Sequence, residues 1–387
     1  MAARWDAATI ARHNAEVASL WAGFEAGTPA RVPVVFNFSK RFYLLTPWLN
    51  LQGYTFRDYF ERPEVQWEVQ LATQQWIREN VSQDQEWGLP NEWAGLAPDF
   101  QNSYEAAWLG CTIEYRDGEV PDTRPLLRED KGKLALLSIP DPLQGGIMAR
   151  GMEFRSYFEA RRAKEGYLDR PVGPSPMCGG GTDGPFTVAC NLRGATEFCL
   201  DLYEDPPFAR ELLGFITDAI IVRLRAVGEV NGVTYPQPGW GFADDSIQLL
   251  SIAQYRDWVL PHHRRLLAEF SQGGPNSIHL CGDVARLLPV LQQELNIQSF
   301  DTGFPVDLGQ LRRTLGPKAA LRGNLHPEVL RKGPASLIRE ETKRIMQSGV
   351  KEGRKYVFCE GNNVAPDTPV EHFAAAYAAA KEFGAHP

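Results

Sequence analysis

The sequence predicts an α/β fold, one barrel of eight βα units formed by residues 1–387 as a single domain. In the second half, short apolar runs alternate with helical patterns, and each run ends in turn or cap chemistry, the punctuation of parallel βα units. Five such units fall within about 155 residues, so the chain has length enough for eight.

An N-terminal helix precedes the barrel. Val32 to Phe38 is expected to be the first strand, with a second near Ala94 to Phe100 and a third near Phe186 to Cys190. Phe208, Leu212, Phe215, Ile216 and Ile220 then mark one face of a helix. Val233 to Trp240 is the strand before a helix at Ile252 to Phe270. Asn276 to His279 precedes a helix from about Asp283, and Ile297 to Phe300 precedes one opened by Asp307. Ala319 to Leu321 leads through Gly323-Asn324 to a helix ending near Gly349, a residue suited to the left-handed position after a helix. Tyr356 to Phe358 is followed by Thr368-Pro-Val-Glu371, where threonine can cap, proline fits the first turn and glutamate completes a capping box. Two insertions decorate the rim. Cys111 to Leu134 carries an Asp117-Gly118 hairpin turn, and Pro171 to Gly184, with its glycine run 179–181, is expected to be a mobile loop near a ligand. The expected architecture is therefore a (β/α)8 TIM barrel with an N-terminal helix and rim insertions.

Composition narrows the partners. The net charge is −8 and no dense Lys/Arg cluster occurs, which argues against nucleic acid. No apolar run approaches the roughly 20 residues of a membrane span, and Arg4, Asp6 and Arg12 interrupt any secretory signal, so a cytoplasmic protein is expected. Six cysteines in such a chain read as free thiols or metal ligands. No phosphate-binding or dinucleotide glycine fingerprint is present, and His262-His263 cannot face one ion together from a helix.

Chemistry concentrates at Ile278-His279-Leu280-Cys281-Gly282-Asp283. Side chains alternate along a strand, so His279 and Cys281 point the same way at its carboxyl end, where eight-fold barrels build their active sites. Cys359 lies at the corresponding end of the last strand. An imidazole and two thiolates suit zinc and leave a fourth position open for catalysis. Asp244 and Asp245 follow another predicted strand, and either can take that fourth position or orient His279.

At these residues the chain resembles the uroporphyrinogen decarboxylase superfamily, in particular its branch of zinc-dependent corrinoid methyltransferases. The likeness includes Gly184-Pro-Phe186, Leu192-Arg-Gly194, the Asp201 to Pro206 segment, Ala243-Asp-Asp245, Leu260-Pro261, the His279/Cys281 segment, Gly323-Asn324 with Pro327, and Cys359 followed by Ala365 to Pro369. It implies the same barrel, zinc on His279, Cys281 and Cys359, and a loop at Asn324 and His326 that reaches the site. The decarboxylase branch carries an arginine motif after the first strand that binds porphyrinogen carboxylates. Here Phe38 and Phe42 occupy those places, with Lys40 and Arg41 out of step.

The expected activity is methyl transfer between a small methylated compound or thiol and a corrinoid carried on a separate protein. The alternative is a metal-independent decarboxylase or lyase of the same barrel. Eight of the ten tryptophans occur by Trp108, and with the phenylalanine replacements they predict a pocket for a substrate with at most one or two acidic groups.

Overall fold

The computed structural model describes residues 4–386. A two-stranded hairpin, β1 (Thr112–Glu114) and β2 (Asp122–Arg124), stands apart from a five-stranded wall. That wall consists of β3 (Gly241–Ala243), β4 (Asn276–Leu280), β5 (Ile297–Thr302), β6 (Ala320–Leu325) and β7 (Tyr356–Glu360), all parallel and in sequence order. Sequential parallel order is what repeated right-handed βα crossovers produce. In β4 the buried Ile278 and Leu280 alternate with the more accessible Ser277 and His279, so one face packs in the core and the other is left for the site.

The front half closes the wall with irregular chain. Val34 bridges Phe358 of β7 in parallel, and the Asp84 amide donates to the Val34 carbonyl at 2.7 Å. Trp93 bridges Val172, and the Ala243 amide of β3 donates to the Thr182 carbonyl at 3.1 Å. The ring thus runs from β7 through segments around residues 34, 84–93 and 172–182 to β3, giving the TIM barrel the sequence predicts. The hairpin expected within Cys111 to Leu134 is also present.

Three local expectations are corrected. The segment Phe186 to Cys190 is not a strand but part of the helix Pro185–Arg193. Proline stands in its first turn, and the Asp244 carboxylate accepts from the Phe186 and Thr187 amides at 3.1 and 2.7 Å. The strand expected at Val233 to Trp240 lies further on, at Gly241–Ala243, because Pro236 and Pro238 lack the amide donors of a ladder. The last helix, Val370–Phe383, has Pro369 rather than Thr368 at its N-cap, and the Thr368 hydroxyl instead donates to the Ala365 carbonyl at 2.7 Å.

Candidate metal centre

His279, inward on β4, and Cys281, the residue just past its end, supply the first two donors. His279 Nε2 lies 3.3 Å from Cys281 Sγ. Two ligands at tetrahedral angles on one zinc, with bonds of about 2.0 and 2.3 Å, stand ~3.5 Å apart, so this pair is near its binding separation. Asp245, just beyond β3, joins them: one ligand atom from each of Asp245, His279 and Cys281 lies within 4.8 Å of the others. Asp245 is held there by the Cys281 amide, which donates to Oδ1 at 2.8 Å. A nitrogen, a sulfur and an oxygen donor on adjacent strand ends fit a divalent ion of the zinc class.

Asp301, inward on the neighbouring β5, faces His279 with its Oδ2 3.0 Å from Nδ1. This bond fixes the ring and directs Nε2 toward the other donors. The hydrogen bonds to Asp301 and then to Cys281 raise the His279 pKa to about 11 in the metal-free protein. Metal binding at Nε2 must therefore displace a proton. Nothing in the sequence reading singled out Asp301, although its position one residue beyond the expected strand Ile297 to Phe300 was a signal.

Cys359, on β7, is not among the three residues whose ligand atoms lie mutually within 4.8 Å. It is fully buried, burial pushes its thiol well up, and the Arg322 guanidinium lies close enough to counter that shift. Beside it, Glu360 is buried and raised to about 8 by desolvation, with its carboxylate accepting from the backbone and side-chain nitrogens of Asn37.

The paired aspartates separate. Asp244 is wholly buried and committed to structure, since Oδ1 and Oδ2 together hold the start of the helix Pro185–Arg193 and Oδ2 lies 2.9 Å from His263 Nε2. Asn324 is likewise tied down, its amide donating to the Gly303 and Val306 carbonyls at 3.2 and 2.6 Å. His326 caps the helix Pro327–Lys332 and packs on Phe304 at the rim, with ring centroids 4.0 Å apart.

Next to Asp245 is a cavity of about 200 Å³, lined among others by Asn102, Asp122, Asp183, Thr187 and Asn191. Asp183 is placed by a buried ion pair that sequence reasoning missed. Arg223 and Glu105 pair with side chains 0% and 3% exposed. Glu105 accepts from the Thr182 hydroxyl at 2.9 Å and the Asp183 amide at 2.6 Å, while Arg223 donates to the Gly179 and Gly181 carbonyls. The segment expected to be a mobile loop is thus pinned along 179–183. Burial, and then the charge of Glu105, push the Asp183 carboxyl up.

Residues 97–383 match the uroporphyrinogen decarboxylase (URO-D) family. Over 291 residues the chain is 27% identical to the methylated-thiol–coenzyme M methyltransferase of Methanosarcina mazei, covering 74% of this chain and 71% of that protein. It is 35% identical over 209 residues to the uroporphyrinogen decarboxylase of Nocardia farcinica, covering 51% of this chain and 56% of the relative. Among solved structures, a methyltransferase from Methanosarcina mazei matches with a TM-score of 0.65 at 21% identity, over 95% of this chain and 98% of the other, which is a likeness of fold.

Proposed function

The chain belongs to the uroporphyrinogen decarboxylase family, and from that premise we propose that it is a zinc-dependent methyltransferase. It moves a methyl group between a small methylated compound or thiol and a corrinoid on a separate protein, in the cytoplasm. The observation that carries this reading is the convergence of His279, Cys281 and Asp245 at the carboxyl end of the wall, a donor set that decarboxylation without a metal does not need. The likeness to a methylated-thiol methyltransferase over 74% of the chain supports it.

His279 and Cys281 would hold the ion, with Asp245 or Cys359 completing the set. When bound, zinc would supply Lewis acidity that keeps a substrate sulfur as thiolate near neutral pH, or polarises a methylated donor. The protein's own part is placement. Asp301 fixes the His279 ring, the Cys281 amide fixes Asp245, and Asn324 fixes the loop from Gly303 to Val306 beside them. Asp183, with its carboxyl raised by burial, stands in the adjoining cavity as a group able to give or take a proton as the substrate changes charge.

The experiment is metal analysis joined to a methyl-transfer assay. Purified protein is expected to carry zinc near one equivalent, to lose it in His279→Ala and Cys281→Ser with the fold retained, and to transfer methyl groups to or from reduced cobalamin. Release of carbon dioxide from uroporphyrinogen, with no methyl transfer under reducing conditions, would overturn the proposal in favour of a metal-independent decarboxylase.

A further inference from the structure

The cavity of about 200 Å³ beside Asp245 has three acids in its wall, Asp122, Asp183 and Asp245, together with Asn102, Thr187 and Asn191. Two of the acids have hydrogen-bond partners. Asp245 Oδ1 accepts from the Cys281 amide at 2.8 Å, and Asp122 Oδ1 accepts from the Thr123 amide at 2.7 Å at the start of β2. Asp183 differs from both. Among the described residues, no hydrogen bond or ion pair engages its carboxyl, which burial pushes up to about 8, with the charges of Glu105 and Asp245 adding to the shift.

The backbone holds Asp183 in this position. Its amide donates to Glu105 at 2.6 Å, the Thr182 hydroxyl donates to the same carboxylate at 2.9 Å, and Arg223 donates to the Gly179 and Gly181 carbonyls. The cations nearby are committed elsewhere. Arg223 pairs with Glu105, and Arg41, which acts on Asp183 at longer range, donates to Gln101 and Asn102 at 3.0 and 3.2 Å. An acid desolvated without a counter-charge is costly, and a ligand that brings the charge removes that cost. A metal ion does not fit this role. Metal–oxygen bonds of about 2.0–2.6 Å need closely gathered donors, and the three acids of the cavity are not a group whose ligand atoms lie within 4.8 Å of one another, as those of Asp245, His279 and Cys281 are. Separated carboxylates with amide and hydroxyl neighbours suit a charge spread over several atoms, the form it takes in an alkylated ammonium.

We propose that this cavity is a cation subsite with Asp183 as its specificity-determining residue, and that it receives an alkylated ammonium group of the substrate beside the His279–Cys281–Asp245 centre. This gives a chemical class to the methylated compound of the reading above and rests on that reading. Passage of a methyl from such a nitrogen to the reduced corrinoid breaks the C–N bond with its electron pair left on nitrogen, while the corrinoid supplies the pair of the new bond. The nitrogen leaves the step as a neutral amine, and no proton is consumed.

The test uses the full-length protein and two probes of the same shape, choline and 3,3-dimethylbutan-1-ol, in which carbon replaces the charged nitrogen. Each is titrated by calorimetry, and zinc content is read on the same samples. A full charge beside desolvated carboxylates predicts at least about a tenfold preference for choline. In Asp183→Asn, which keeps the shape and loses the charge, that ratio is expected to fall most of the way to one. Asp183→Glu should retain part of it, and Asp122→Asn should lower it less. Because the Asp183 carboxyl makes no hydrogen bond, Asp183→Asn is expected to unfold at the same denaturant concentration as the parent. Equal affinities in the unmodified protein, no measurable choline binding, or a ratio unchanged in Asp183→Asn, with zinc still near one equivalent, would overturn the subsite and leave the metal reading standing. Absence of zinc while the choline preference persists would overturn the metal reading and keep the subsite.

Discussion

Replacing Arg223 with methionine removes one member of an ion pair whose side chains are 0% and 3% exposed. The loss leaves the Glu105 carboxylate buried without its cation, a change that costs about 3–5 kcal/mol when a buried pair is broken from one side. Arg223 also donates to the Gly179 and Gly181 carbonyls; Gly181 keeps the Tyr104 hydroxyl at 2.9 Å, whereas Gly179 left without a partner adds about 1 kcal/mol unless water reaches it. Two donors moderate the damage, since Glu105 still accepts from Thr182 and Asp183. The expected loss is therefore about 3–5 kcal/mol, read as a lower denaturant midpoint at unchanged slope in urea unfolding. Glu105→Met with Arg223→Met should cost clearly less than the sum of the singles, because no lone charge remains. A single variant within about 1 kcal/mol of the parent, or strictly additive singles, would refute the claim that this pair pins the 179–183 segment under the site.

Asp301→Ala should lower zinc affinity by about 10–100-fold in chelator competition, while Asp301→Asn, which still accepts from His279 Nδ1, should keep most of it; equal affinities in all three proteins would remove Asp301 from its positioning role. His262 gives a pH prediction. Desolvation, then the neighbouring His263, lowers its pKa to about 4, and its Nδ1 lies 2.8 Å from the Thr217 hydroxyl. The unfolded chain takes up this proton near pH 6.5 and the folded chain does not until about pH 4, so the stability it contributes is full above 6.5 and is lost as pH falls toward 4. His262→Gln should flatten that window by up to about 3 kcal/mol, measured as unfolding free energy at several pH values; parallel curves for the two proteins would count against it.

The second half of the barrel was legible because its strands obey the two rules a sequence displays, alternation and capped helices. Asn276–Leu280 and Tyr356–Glu360 are regular parallel strands, and Asp307 caps its helix with a side-chain bond to the Gln310 amide at 2.8 Å. The first half hides its wall. Residues around 34, 84 and 172 join their neighbours by single bridges and side-chain bonds, such as the Val34 amide to Asp84 Oδ2 at 2.8 Å, so no run of alternating residues announces them. Phe186 to Cys190 reads as a strand because five mostly apolar residues suit either state. What decides for helix is Asp244, 57 residues from Thr187 in sequence, whose oxygens satisfy the first amides.

The site divides the same way. His279 lies on β4 and Cys281 one residue past its end, so their meeting follows from geometry that two residues of sequence contain. Glu105 and Arg223 are separated by 118 positions, and no local pattern announces their pairing. Asp244 and Asp245 mark the boundary between these cases. Asp244 directly follows β3 and Asp245 opens the short helical turn Asp245–Leu249, and the two carboxylates take different partners. The side taken by Asp244 is set by Gly184. Its φ is +85°, and a β-carbon there would fall 2.4 Å from the Asp244 side chain, so glycine makes the space that the carboxylate enters to reach Phe186, Thr187 and His263. Asp245 accepts instead from the Cys281 amide at 2.8 Å, beside His279 and Cys281. Two adjacent acids thus divide into one anchor and one candidate ligand because their partners, the helix start at Phe186 and the Cys281 amide, lie far from them in sequence.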